Sequence, residues 1–140
     1  MTVQPAVLLA EDDDGHALLT QQGLKQAGFH NQVLRFRDGQ EVLDFLTGGD
    51  RPAFPMVLLL DISMPKLNGI EVLRLLRGQT VFKSMPIIMV TTTDDPEVTA
   101  QCAELGCSAF LFKLLNQQEF AMTLSKLAGY FSPVDLTTPA

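Results

Sequence analysis

Five short apolar runs punctuate the chain, and a helix-like pattern follows each one. The first is Val7-Leu8-Leu9-Ala10, which runs straight into Glu11, Asp12 and Asp13. Gly15 to Ala27 then carries Leu18, Leu19 and Leu24 and stops at Gly28, which predicts a helix. Val33, Leu34 and Phe36 form a weaker, charge-interrupted run that suits an edge strand. Asp38 with Glu41 three residues on reads as a capping box opening a helix through Val42, Leu43, Phe45 and Leu46. Gly48 to Pro52 reads as loop. Met56 to Leu60 is continuously apolar and ends in Asp61, as expected of a central strand covered on both faces. Ile70 to Arg77 is helical in pattern, with Val72, Leu73 and Leu76 on one side. Pro86 to Val90 is a further buried strand, ending in Thr91-Thr92-Thr93. Asp95 before Pro96 opens a helix that stops near Gly106. Ala109 to Phe112 is the fifth strand and ends in Lys113. Asn116 with Glu119 reads as another capping box, for a last helix through Phe120, Leu124, Leu127 and on to Phe131.

Strand-helix alternation with buried strands predicts one α/β domain: a doubly wound, five-stranded parallel sheet with five helices on its two faces. The domain is expected over residues 1–131, with 132–140 a mobile, Pro/Thr-rich tail. In such sheets, ligands bind beyond the carboxyl ends of the strands, where strand order reverses.

A chain of 140 residues is long enough to bury a core without a disulfide or metal staple. Sixteen acids against ten bases give a net charge of -6, which excludes a nucleic-acid binder and a protein held on lipid by basic residues. No stretch is long enough to span a membrane, and the N-terminus lacks a basic, apolar signal pattern, so a cytoplasmic protein is expected. Cys102 and Cys107 have no CxxC spacing or nearby histidine and read as small semi-buried thiols.

The acids acquire meaning from where the strands end. Strand one ends in Glu11-Asp12-Asp13, strand three in Asp61, strand four in Thr91 and strand five in Lys113. Taken singly, each is an ordinary turn, cap or surface residue, and Asp13 and Asp14 are expected to cap the first helix. Together on one sheet edge, the carboxylates repel one another unless a cation intervenes. Hard oxygen ligands with open positions suit Mg²⁺. With a lysine and a threonine hydroxyl beside it, such a site can hold a phosphoryl group. Asp61, alone at the end of the most apolar strand, is the candidate nucleophile for an aspartyl-phosphate, with Glu11 and Asp12 placed to hold the metal.

The motifs LLAEDD, LLLDISMPKLNG, IIMVTTTDD and AFLFK resemble the receiver domain of two-component response regulators, the CheY-like fold, from residue 6 to about 131. The resemblance implies that Asp61 is the phosphoacceptor. It implies Mg²⁺ coordination by Asp12, Asp61 and the Ser63 backbone carbonyl, with Glu11 acting through water. Thr91 and Lys113 would contact the phosphoryl oxygens, and Phe110 would be the aromatic switch residue coupled to Thr91. Pro65 and Gly69 match the turn that follows the phosphoacceptor. Ser63 and Thr93 occupy positions that tune water access, and both are small and polar. The segments EDDDGHALLTQQGLKQAG, DGQEVLDFL, Gly48 to Pro55 and VTTTDDPE are similar to single-domain regulators of phytochrome-type histidine kinases.

Two residues depart from the family pattern. Leu114 replaces the usual proline after Lys113; a cis bond before leucine would cost about 3 to 4 kcal/mol, so a trans bond is expected. Asn68 stands where many relatives carry Asp, on a turn where little effect is expected. The implied activity is acceptance of a phosphoryl group from a sensor histidine kinase, such as a bacteriophytochrome, or from a phosphotransfer protein. The chain would be a phosphoacceptor signalling domain rather than an enzyme, signalling by protein contact without an output domain. Apolar residues near the fourth helix, fifth strand and fifth helix (Leu111, Phe112, Tyr130 and Phe131) are expected to be core in part, with the excess adding surface that fits a homodimer. Three alternatives compete. A haloacid-dehalogenase-type phosphatase would need DxDx[TV], and Asp12-Asp13-Asp14-Gly15 lacks its last element. A nucleotide or flavin module would need a glycine-rich loop that is missing. A docking or dimerisation module would keep the fold with an impaired site.

Overall fold

The structure is a computed structural model that describes residues 2–48, 55–92, 94–113 and 116–135. In chain order the elements are β1 (Thr2–Val3), β2 (Ala6–Ala10), α1 (Asp14–Gln26), β3 (Val33–Phe36), α2 (Gly39–Thr47), β4 (Met56–Asp61), α3 (Gly69–Arg77), β5 (Ile87–Thr91), α4 (Pro96–Glu104), β6 (Ala109–Phe112), α5 (Gln117–Ser125), α6 (Ala128–Phe131) and β7 (Val134–Asp135). A single 3₁₀ turn, Thr80–Phe82, precedes β5.

The main sheet is parallel throughout, in the order β3-β2-β4-β5-β6. The most apolar strand, β4, is central, and the charge-interrupted β3 is at an edge, as the sequence pattern predicts. Side-chain alternation divides the core in two. Leu8, Leu58, Leu60, Ile87 and Met89 pack with Val42, Leu46, Val72, Leu73 and Leu76 from α2 and α3. Val7, Leu9, Val57, Leu59, Ile88 and Val90 pack with Leu24, Phe120 and Leu124 from α1 and α5. Strand order reverses between β2 and β4, so the carboxyl ends of these two strands border the expected crevice.

Several details differ from the sequence pattern. The last helix is two helices, making six α-helices among the described residues. Lys126 and Leu127 donate their N–H groups to the carbonyls of Thr123 and Leu124, three residues back, and this tightening breaks the helix before α6. The segment expected to be a tail is ordered at first: β7 pairs antiparallel with β1, Val134 opposite Val3 and Asp135 opposite Thr2. Residues 136–140 lie outside the described residues. Asn31 supports this clasp by donating from Nδ2 to the carbonyls of Pro5, at 2.8 Å, and Phe131, at 2.9 Å.

Leu111 and Phe131 are wholly buried, and Tyr130 is half-buried with its hydroxyl donating to the Ser108 carbonyl. Leu111 and Phe131 therefore supply core rather than a dimerising surface. Large exposed apolar side chains among the described residues are instead Leu18, Leu19, Leu75, Val81, Met122 and Val134. Cys102 is buried, Cys107 is half-buried, and both are free thiols.

Capping follows the sequence with corrections at four residues. Asn116 caps α5 through the Glu119 N–H without a reciprocal bond that would close a box. Asp14 is the first residue of α1, paired with Arg35 and Arg37, while Asp13 alone is the cap. Asp38 caps α2 through the Glu41 N–H, but the Glu41 carboxylate returns to Arg37 rather than closing a box on Asp38. Asn68, expected to matter little, caps α3 in a full reciprocal box: Oδ1 accepts from Glu71 N at 2.9 Å, and Asn68 N donates to Glu71 Oε1 at 3.1 Å.

Candidate functional site

Backbone register brings the acids together. Ala10 is paired with Leu60, so the next residue of each strand, Glu11 and Asp61, leave the sheet side by side. Glu11 is held at three points. Its N–H donates to the Phe36 carbonyl at 3.0 Å. Its carbonyl accepts from Arg35 Nε at 3.1 Å and Nη2 at 3.0 Å, while Arg35 Nη1 reaches Asp14 Oδ1 at 2.6 Å. Its Oε2 accepts from the Asp13 N–H at 3.2 Å. Asp13 in turn caps α1, accepting from His16 N at 2.8 Å, and this bond holds its exposed carboxyl below the usual range. On the other flank, the Lys113 N–H donates to the Thr91 carbonyl at 2.9 Å, which aims the lysine back over β5 toward β4.

Glu11, Asp12 and Asp61 each offer a carboxylate oxygen within 4.8 Å of the others. Glu11 and Asp61 are buried and Asp12 is exposed at the rim. The Lys113 ammonium bridges the two buried acids, 2.5 Å from Glu11 Oε1 and 3.2 Å from Asp61 Oδ1. The Asp61 carboxyl is pushed up from 3.8 to about 7: burial is the largest cause, Lys113 opposes it, and the charge and hydrogen bond of Glu11 add to it. With every group ionised, three carboxylates and one ammonium leave two uncompensated negative charges. That donor set, hard oxygens with one open side, fits a divalent cation that keeps several waters. Thr91 is buried at the end of β5, on the strand next to β4.

The loop after β4 is shaped around the Asp61 backbone. A Cβ added to Gly69 would lie 2.3 Å from the Asp61 carbonyl oxygen and 2.9 Å from the Ile62 Cα. Only glycine fits there, because both neighbours are backbone. Gly69 N donates to the Ile62 carbonyl at 2.9 Å, closing the loop that carries Ser63, exposed, and Pro65. Lys66 adopts a left-handed φ of 66° in this turn and places its ammonium 3.4 Å from Asp38 Oδ2. Phe110 is half-buried against the α2–α3 side of the core, 6.5 Å from the Phe112 ring. Thr93 and Leu114 lie outside the described residues.

Two polar residues of the site were not singled out by the sequence. Arg35 is the charge that interrupts β3, and its periodicity signal marks only an edge strand. His16 brings Nδ1 to 3.2 Å from Lys113 Nζ, across 97 positions of sequence. For the phosphatase alternative, the first acid of the motif, Asp12, is exposed on the rim, and the second, Asp14, is paired with Arg35 and Arg37.

Solved structures share this architecture. A response regulator receiver domain from Rhodospirillum rubrum is 31% identical with a TM-score of 0.79, covering 90% of this chain and 92% of its own. The Mn²⁺-bound form of response regulator Rcp1 is 26% identical with a TM-score of 0.79, covering 97% of this chain and 99% of its own; Rcp1 is a protein of Synechocystis. The bacteriophytochrome response regulator RtBRR is 30% identical with a TM-score of 0.78, over 98% of this chain and 86% of its own. Longer relatives match as well: the chain spans 18% of the sensory/regulatory protein RpfC of Xanthomonas campestris. The family model for the response regulator receiver domain matches residues 7–125, and the chain belongs to that family.

Proposed function

We propose that Asp61 accepts a phosphoryl group from the phosphohistidine of a sensor histidine kinase or a phosphotransfer protein. The observation that carries this reading is the Lys113 ammonium bridging two buried carboxylates beside a third, at the point where strand order reverses. An Asp61 carboxylate oxygen attacks phosphorus; a P–O bond forms, the P–N bond breaks, and the donor imidazole leaves with the electron pair. Lys113 and Thr91 hold the phosphoryl oxygens as charge develops on them. A bound Mg²⁺ would be held by Asp12, Asp61 and the Ser63 carbonyl, with Glu11 through water, and would offset phosphoryl charge. Later attack of water on phosphorus releases phosphate and restores the carboxylate. Ser63 is small and exposed, so it places no steric block on that water.

Readout is a population shift: Thr91 moves toward the phosphoryl group and the half-buried Phe110 ring turns inward. The likeness to RtBRR supports a phytochrome-type kinase as donor. Among the described residues no helix is long and apolar enough to cross a membrane, in keeping with an expected cytoplasmic setting. Intact-mass measurement after incubation with acetyl phosphate tests the core of the reading. Wild type gains one phosphoryl group only when Mg²⁺ is present, and Asp61→Asn gains none; a label that persists in the variant refutes the assignment. Transfer from a radiolabelled bacteriophytochrome kinase tests the donor.

A further inference from the structure

We infer that His16 is a positioning residue for Lys113, the third arm of a tripod that aims the ammonium at the phosphoryl site. This rests on the phosphoacceptor reading above. An ammonium has three N–H donors and no acceptor. Three acceptors surround Lys113 Nζ: Glu11 Oε1 at 2.5 Å, Asp61 Oδ1 at 3.2 Å and His16 Nδ1 at 3.2 Å. With Nδ1 accepting, the imidazole carries its own proton on Nε2.

The arms are not equivalent. Once Asp61 is esterified, its charge moves out to the phosphoryl oxygens and the Asp61 arm changes direction. Glu11 and His16 are the arms that persist. Glu11 is already engaged at Oε2 by the Asp13 N–H. His16 is rigidly based: its N–H donates to the capping carboxylate of Asp13, so the imidazole is built on the same turn that carries Asp12. Packing alone does not immobilise the lysine. Its side chain is 8% exposed, yet it borders a cavity of about 30 Å³ shared with His16, Leu19, Thr20, Gln117 and Phe120, room for about one water. A four-carbon stem beside open space is aimed by its polar partners.

Two variants separate this role from a structural one. His16→Leu keeps bulk and removes the acceptor, while His16→Asn restores an acceptor near the place of Nδ1. The His16 side chain is 43% exposed, so both are expected to fold. Phosphorylation is followed by mass at varied acetyl phosphate with Mg²⁺. His16→Leu should lower the maximal rate about fivefold, the effect of one hydrogen bond, with half-saturation unchanged within about twofold. His16→Asn should recover to within about twofold of wild type. A second readout needs no phosphate: the Lys113 ammonium resonance of ¹⁵N-labelled protein should be observable in wild type and His16→Asn and broadened away in His16→Leu. If wild type is labelled and His16→Leu matches it in rate and spectrum, the tripod inference fails alone. If wild type takes no label, the phosphoacceptor reading fails, and the resonance still decides whether His16 holds the lysine.

Discussion

Replacing Asp61 by Asn should stabilise the protein in the absence of a divalent cation, and the gain should depend on pH. The native fold holds this carboxyl at about 7, against 3.8 when unfolded, because it is buried beside Glu11 and only partly compensated by Lys113. A raised folded value means that the native state binds the proton more tightly than the unfolded chain. The penalty is absent below about pH 4, grows as the pH rises, and is complete above about pH 7. A change from 3.8 to about 7 corresponds to at most ~4 kcal/mol at 1.36 kcal/mol per pH unit. The site opens to water on its Asp12 side, and screening there reduces the expected value to about 1–2 kcal/mol.

Urea unfolding of wild type and Asp61→Asn at pH 5, 6, 7 and 8 in chelator measures the difference directly. Asp13, Asp14 and Asp38 have carboxyls held below 3.8 by hydrogen bonds from the His16 N–H, the Arg35 guanidinium and the Glu41 N–H, respectively. Their contributions fade only in more acid solution, and comparing the two proteins at each pH cancels them. The variant's advantage should rise from pH 5 to 8. Adding Mg²⁺ should reverse it, since a ligand at a hundredfold its Kd stabilises the native state by about 2.7 kcal/mol and the variant lacks one charged ligand. A variant that is no more stable than wild type at pH 8, with no trend in pH, would sink the argument that Asp61 is held as a strained, cation-seeking carboxyl.

Three further substitutions test the scaffold. Asn68→Ala removes the side-chain half of the α3 capping box, the acceptor for the Glu71 N–H, and should cost about 1 kcal/mol in urea unfolding, whereas Asn68→Asp should be near neutral. Gly69→Ala forces a Cβ against the Asp61 carbonyl and should cost about 2 kcal/mol while slowing labelling by acetyl phosphate; an unchanged rate would separate the loop from the site. Asn31→Ala deprives the Pro5 and Phe131 carbonyls of their shared donor and should cost about 2 kcal/mol. Hydrogen exchange at Thr2–Val3 and Val134–Asp135 should accelerate in that variant, and an unaltered exchange rate would show the two-stranded clasp to be independent of Asn31.

Much of the site was legible because its members follow apolar runs. Each run must be a strand, each strand of a parallel sheet points the same way, and the residues after the strands therefore meet at one edge. That logic delivers Glu11, Asp12, Asp61, Thr91 and Lys113 without any contact being known. It also identifies β4 as central, since only a strand covered on both faces tolerates five apolar residues in succession. What escaped it falls into two kinds. Arg35 and His16 lie on an edge strand and an exposed helix turn, where polar residues are unremarkable, and their partners are 24 and 97 positions away. Val134–Asp135 pairs with Thr2–Val3 across nearly the whole chain, a match that two-residue segments cannot signal through periodicity.

The sequence by itself determined the strand and helix alternation, the polarity of the functional edge and the identity of its chemical groups, because these depend on local period and on the single direction of a parallel sheet. Only the tertiary structure decided which acids are buried, how the lysine's three donors are shared, and why Gly69 cannot carry a side chain. Those are consequences of the spatial arrangement of groups remote in sequence, and burial, hydrogen bonding and charge coupling depend on distance and orientation in space.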